Sequence, residues 1–549
     1  MPFFSSRVTH SGYQRLLSLV LVVTLLAAAF LPLVPAEAAA TAKNVIILVG
    51  DGMGASHTTL ARWYKGGPLA LDEMVSGAVR TYSAESLITD SAPAATAFAT
   101  GYKSNDKFIG IAAASVTVPG AASFNAGDQY RPLATVLEGA KLLGKATGLI
   151  ATSNLQHATP AAFSSHWHSR SNYEEIGKQQ VYEQIDVAFG GGKKYLLPKE
   201  QGGTRKDGLN LLDELKNMGY TIVINTQELL QTKATKVWGL FADDAMAYDF
   251  DRDPAKEPSL AQMTRKAIEI LSQDPEGFFL FVEGSEIDWA SHANDPVGVI
   301  SETLAFDAAV KEALDFAKKD GQTLVVAFTD HGNGGMSIGN KASDNTYSKL
   351  SFEQVIEPLR KARLTGQGVE ARVNADRSNI VEVMARYYGI TDLTEEEIAA
   401  IRQAKPGSLN YVIGPMISKR AYMGWTTNGH TGEDVFLYSY GPGKLTGTVE
   451  NAEIARKVAA AMGLDLTWLN KELFIPVRQA FKDAIITWDT SNPNLPKVIV
   501  EKGGKKAELP VGTNLMLING QKHYLPGVIV YSEPQGVTYI PGAATELLN

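Results

Sequence analysis

Short apolar runs rich in β-branched residues alternate along most of the chain with segments whose apolar positions recur every three to four residues. The runs NVIILVG (44–50), ATGLIAT (146–152), GFFLFVEG (277–284), TLVVAFT (323–329) and DVFLYSYG (434–441) read as strands. The stretches 131–143, 259–272 and 299–319 read as amphipathic helices. Continuous apolar runs joined by helices predict an α/β fold, with a mainly parallel central sheet flanked by helices on both faces. In such sheets functional residues gather just past the carboxyl ends of the strands. Two regions break the rhythm. Residues 342–428 hold polar helical segments such as TEEEIAAIRQA and no strong strand run, which predicts a helical and loop insertion near the site. From 485 to 549, short alternating runs with Gly/Pro turns predict a small β-rich C-terminal appendage.

The N-terminus reads differently. Arg7 and Arg15 precede the apolar run Leu16–Val34, and AEA at 36–38 has the small residues of a cleavage site, so residues 1–38 are expected to be an export signal. The run is 19 residues long, enough for a membrane anchor if uncleaved, but Pro32 and the PAEAAA tail favour cleavage. Cleavage would remove Arg7, Arg15 and Glu37, taking the net charge from −8 to about −9. An acidic balance argues against general nucleic-acid binding. The chain has no cysteine, so an exported form is held by its core and by bound metal, and any metal site uses His, carboxylate and hydroxyl ligands.

The stretch TDSAPAATAFATG (89–101) reads as a helix start. Asp90 or Ser91 can cap it, Pro93 is tolerated in its first turn, and Gly101 can end it. Ser91 then stands among free N–H groups at the positive end of the helix, where phosphate binds well. Four of the five strand runs end near metal-type residues. These are Asp51 in GDGMG; His157, Thr159 and Arg170 in QHATPAAFSSHWHSR; Glu283, Asp288 and His292 in VEGSEIDWASH; and Asp330 and His331 in FTDHGNGG. His430, in NGHTGEDV, comes just before the fifth run. Taken singly, each reads equally as a turn, a cap or a surface pair. Their convergence on one edge of one sheet predicts a multi-metal site. His57, His166, His168 and His523 are read as structural.

With NVIILVGDGMG, TDSAPAATAFATG, QHATPAA, VEGSEID, TDHGNGG and HTGED in order, the chain from about 43 to 469 resembles the alkaline phosphatases. The resemblance makes 39–484 the catalytic domain. It implies an exported phosphomonoesterase that acts on small phosphate monoesters through a phosphoserine, with two zinc ions and one magnesium. Ser91 would be the nucleophile, Arg170 the phosphate clamp, and Asp90 its orienting partner. One zinc would take Asp288, His292 and His430, and the other Asp51, Asp330 and His331. The magnesium would share Asp51 and take Thr159 and Glu283. His157 and Trp289 stand where some family members carry Asp and Lys. An imidazole beside the third site would let zinc or cobalt compete there, and Trp289 removes a cation from the phosphate. The resemblance allows a homodimer, and the appendage a wall or surface attachment. The expected location is secreted, extracellular or periplasmic, with no membrane span once processed. A sulfatase is disfavoured because DSAPAA lacks the following Arg and the chain lacks Cys. A phosphodiesterase more often uses Thr as nucleophile, and a silent phosphate-binding protein would carry a damaged ligand set.

Overall fold

The structure, a computed structural model, describes residues 42–548 except 123 and 126. The expected export signal lies outside the described residues. Ten strands form the central sheet: β1 (Asn44–Gly50), β2 (Val75–Arg80), β3 (Ala146–Asn154), β4 (Val187–Gly191), β5 (Thr221–Val223), β6 (Val237–Leu240), β7 (Phe278–Gly284), β8 (Thr323–Phe328), β9 (Val435–Tyr440) and β10 (Gly447–Glu450). Their spatial order is β10-β2-β9-β8-β1-β7-β3-β4-β6-β5. β1 lies between β7 and β8, parallel to both, and all seven of its residues are buried. The pleat divides them: Val45, Ile47 and Val49 join the core on one face, while Ile46 and Leu48 join the core on the other. Each such aliphatic side chain contributes about 1.5–3 kcal/mol of burial.

Only β9 runs against the rest, antiparallel to both β8 and β2. Its start therefore lies at the edge where the other strands end. This explains how His430, ahead of a strand, comes to face residues that follow strands. Four helices matter for the site: α1 (Ser91–Thr100), α2 (Ala158–Ser164), α3 (Glu286–His292) and α4 (Pro296–Asp320). Every residue of α1 is buried, and Phe98 packs on Phe163 of α2 and on Phe328 of β8 at ring separations of 5.8 and 5.0 Å.

Between β8 and β9 the helices Phe352–Arg360, Glu395–Gln403 and Asn410–Arg420 share an apolar cluster with Ala290, Val297, Val299 and Ile300 of α3 and α4. The C-terminal region is β-rich. A five-stranded antiparallel sheet runs from Ile485 to Tyr524, with its own core of Val498, Val500, Ala507, Leu509 and Met516. Val530 and Tyr539, further on, join the main core. Among the described residues no helix is long and apolar enough to cross a membrane.

Candidate functional site

The site is built where β1, β7 and β8 end. The register pairs Val49 with Glu283 on one side and with Phe328 on the other, so Asp51 and Asp330 leave their strands at one level and Glu283 stands two residues below them on β7. Gly52 turns the chain away from β1 at φ +68°, and its amide donates to Asp330 Oδ1 at 3.1 Å. The next amide, of Met53, donates to Thr329 Oγ1 at 2.9 Å. A β-carbon on Gly52 would stand 2.8 Å from Asp288 Oδ1, so only glycine lets this turn approach α3 so closely.

On α3, Asp288 and His292 are one turn apart, with Oδ2 and Nε2 separated by 3.2 Å. His430 is placed by a two-residue antiparallel ladder, in which it pairs with Asn333, and its ring stacks on His331 at 3.6 Å. The three imidazoles share one device. Nδ1 of His292 bonds the carbonyl of Asn428 (2.6 Å), that of His430 the carbonyl of Thr89 (2.9 Å), and that of His331 the carbonyl of Gly332 (3.2 Å). A carbonyl can only accept, so each Nδ1 carries its hydrogen, and Nε2 is the position that can give a lone pair to a cation once its own proton is lost.

Among the described residues, three groups bring ligand atoms within 4.8 Å of one another: Asp288 with His292 and His430, Asp51 with Asp330 and His331, and Asp51 with His157 and Glu283. Both carboxylate oxygens of Asp51 and of Glu283, Thr159 Oγ1 and His157 Nδ1 are buried without a hydrogen-bond partner. Unpaired buried carboxylates are costly. Burial, then the carboxylates of Asp330, Asp288 and Glu283, pushes Asp51 well above the usual range. Burial pushes Glu283 up to about 7. Burial opposes a proton on His331, but Asp330 beside it outweighs this and lifts the ring to about 9. Orphaned oxygens facing one another, with imidazole lone pairs beside them, fit bound divalent cations.

Ser91 opens α1. Asp90 occupies the N-cap but spends no side-chain bond on the helix. Its carboxylate instead meets Arg170 Nη1 at 2.6 Å. Ser91 Oγ lies 3.3 Å from His331 Nε2, at the positive end of the helix. Arg170 is held a second time, with Nη2 2.9 Å from His157 Nε2. Guanidinium can only donate, so His157 Nε2 accepts. Burial first, and then the charge of Arg170, lowers the His157 pKa to about 3, which keeps the ring neutral. Its one hydrogen is then on Nδ1, and neither ring nitrogen of His157 has a free lone pair in this arrangement.

Against known proteins, an alkaline phosphatase family model matches residues 42–464. The chain belongs to the alkaline phosphatase family. It is 41% identical over 444 residues to alkaline phosphatase 3 of Bacillus subtilis, covering 76% of this chain and 89% of that protein. The alkaline phosphatase of Thermus thermophilus superposes with a TM-score of 0.69 at 27% identity, over 79% of this chain and 96% of that one. A TAB5 alkaline phosphatase mutant, histidine to glutamate, with Mg bound in its M3 site, superposes at 0.55 with 28% identity, over 78% and 99%. Family and fold together make the chain a metal-dependent hydrolase of phosphate monoesters.

The structure brings every site residue expected from the sequence to one sheet edge. It also adds two supports beside the ligand set. Asn333 donates to Asp288, and His57 Nε2 lies 2.8 Å from Ser291 Oγ on α3. Ser291 gives its own hydrogen to the Ile287 carbonyl, so His57 is the donor there. Asn333 lies within a motif already quoted, and His57, read from the sequence as structural, is buried against Ser291 of α3.

Proposed function

We propose that the chain is an exported enzyme that hydrolyses phosphate monoesters to alcohol and inorganic phosphate through a phosphoserine at Ser91. The observation that carries this is the place of Ser91 Oγ: at the N-terminus of α1, 3.3 Å from His331 Nε2, beside a guanidinium fixed by Asp90 and His157. Asp288, His292 and His430 would hold one zinc, and Asp51, Asp330 and His331 another. Asp51, Thr159 and Glu283 would hold a magnesium, since hard oxygen ligands suit it. The bound cations supply charge that lowers the pKa of attacking and leaving oxygens and offsets the phosphate dianion.

The chain's own residues do the rest. Asp90 and His157 engage two of the five N–H groups of Arg170, leaving three to grip non-bridging oxygens in a planar fork that lysine lacks. Held there, the phosphorus faces Ser91 Oγ. The serine oxygen bonds to phosphorus as the ester P–O bond breaks and the alcohol leaves with a proton. Water then attacks the same phosphorus, the P–O bond to Ser91 breaks, and phosphate departs. The free α1 amides favour the anion throughout. His157, with its lone pair given to Arg170, leaves the third site to oxygen ligands. Losing that contact would expose an imidazole lone pair and let zinc or cobalt compete.

Ser91→Ala should lose at least ~10³-fold in kcat on p-nitrophenyl phosphate. Acid-quenched labelling with radioactive phosphate should mark Ser91 in the parent. A Ser91→Ala enzyme that keeps activity within an order of magnitude, or a parent with no acid-stable label, rules this reading out. The bis-ester and sulfate analogues should turn over far more slowly than the monoester.

A further inference from the structure

The family match stops at residue 464, yet the chain beyond it reaches back to the walls of the site. The hairpin of Val530–Ser532 and Val537–Ile540 turns at residues 533–536, and its tip meets two loops. Ser532 Oγ donates to the Tyr130 carbonyl at 3.0 Å, and Gln535 Nε2 donates to the Gly127 carbonyl at 3.0 Å. Tyr539 donates from its hydroxyl to Gln535 Oε1 at 2.7 Å, which fixes the amide so that its nitrogen points outward. Glu533 lies 3.4 Å from Nε2 of His168, two residues before Arg170.

Both loops converge on residues 107–112. The Tyr130 amide donates to the Ala112 carbonyl at 3.1 Å, and the Ala112 amide to the Arg131 carbonyl at 2.8 Å. The Tyr130 and Phe108 rings lie 5.4 Å apart. From the other side, Ile109 and Trp167 exchange both backbone bonds at 2.8 and 2.9 Å, and the Arg170 amide donates to the Lys107 carbonyl at 2.8 Å. The segment also meets α1: Thr96 Oγ1 donates to the Phe108 carbonyl at 3.1 Å and accepts from the Gly110 amide at 3.0 Å. Lys107 and Tyr130 sit at φ +66° and +65°, a left-handed conformation that such residues keep only where neighbours hold them.

We propose that this hairpin tip is a positioning element for the phosphate clamp. Ser532, Glu533 and Gln535 brace the loops 127–131 and 167–170. Through 107–112 they set where the Arg170 guanidinium stands relative to Ser91 on α1. The inference rests on the reading of Arg170 as the clamp. Positioning matters because Arg170 grips phosphate oxygens in ground state, transition state and product alike, so a displaced guanidinium weakens all three together.

The test uses the full-length metal-loaded enzyme carrying Ser532→Ala with Gln535→Ala, and separately Glu533→Gln on the solvent-facing tip. The readouts are kcat and KM for p-nitrophenyl phosphate and the inhibition constant for inorganic phosphate. Loss of two hydrogen bonds should raise KM and the phosphate inhibition constant together by about tenfold, with kcat within about twofold of the parent. Glu533→Gln should raise both by about twofold, and Ser532→Thr alone, which keeps the hydroxyl, should match the parent values. In an Arg170→Ala background the tip changes should add nothing, because their effect runs through that guanidinium. Unchanged phosphate inhibition in both tip variants overturns the proposal, as does a full further loss in the Arg170→Ala background. If Arg170→Ala by itself leaves phosphate inhibition intact, the clamp assignment fails first and takes the proposal with it.

Discussion

Asn333 donates from one amide nitrogen both to Asp288 Oδ1, at 2.6 Å, and to the Asp288 backbone carbonyl, at 2.9 Å. It thereby fixes the carboxylate against its own helix and leaves Oδ2 turned toward His292. Asn333→Ala frees that carboxylate without touching a ligand, and metal affinity should fall by about 10–100-fold, as measured by chelator competition. Unchanged affinity would show that α3 alone orients Asp288. Trp289 lies edge-on to His157 at 5.8 Å, so a residue at 289 stands next to the ring that holds Arg170. Trp289→Lys brings a cation toward the phosphate. It should tighten product inhibition by about tenfold, equivalent to ~1.4 kcal/mol, and slow turnover wherever release limits it. A phosphate inhibition constant indistinguishable from the parent's would remove Trp289 from any account of product release.

At the scale of elements, the long buried strands were legible because each is a continuous apolar run. β1, β3, β7, β8 and β9 fall where the sequence places them, to within about two residues. β2, β4, β5, β6 and β10 did not stand out, and in β2 only Val79 is fully buried, so VSGAVR offers no apolar run. β5 has three residues, β6 has four and β10 has four, too few for periodicity to rise above background. The reversal of β9 was equally hidden, because strand direction is set by pairing and leaves no trace in a local apolar run. The site was legible because its ligands are short motifs at strand ends. Its supports lie far away in sequence, as with the Thr89 carbonyl that holds His430. His166 is such a support. The sequence marked it only as structural, yet it bridges the Gly110 carbonyl at 2.8 Å and Glu138 on the helix Val136–Leu142 at 3.0 Å. Two acceptors require a hydrogen on each nitrogen. Burial opposes the charged ring, but Glu138 outweighs it, so the His166 pKa is raised above 6.5. A raised histidine stabilises fully below its unfolded value and loses that contribution as pH climbs through the folded one. Stability should therefore decline above pH 6.5, by up to roughly 1.4 kcal/mol per pH unit for one proton. His166→Asn should flatten that decline in urea midpoints taken at several pH values up to 9. A variant whose midpoints fall as steeply as the parent's would mean that the ring is neutral in the fold.

For the whole molecule, the chief electrostatic problem is the negative charge gathered under the sheet edge, in a chain that carries no disulfide. Without cations, burial raises Asp51 well above 3.8 and Glu283 from 4.5 to about 7, and Asp330 lifts His331 to about 9 against the cost of its burial. All three bind protons more tightly folded than unfolded, so their contribution to metal-free stability falls as pH rises from about 4.5 to 9. Asp288 shifts the other way: burial opposes its ionisation, but His292 and the other imidazoles lower its pKa, and its contribution is complete above about 4. It therefore does not offset the decline. Loaded metal reverses the sense of the three raised groups, since cations favour ionised carboxylates and neutral imidazoles and bind more tightly as protons leave. The difference in thermal midpoint between the loaded and the chelated protein should accordingly be small near pH 5 and widen steadily toward pH 9. Paired scans across that range read it directly, and adding zinc with magnesium back should close the gap. A difference that stays level or narrows as pH rises would mean that something other than bound cations neutralises these carboxylates in the folded chain.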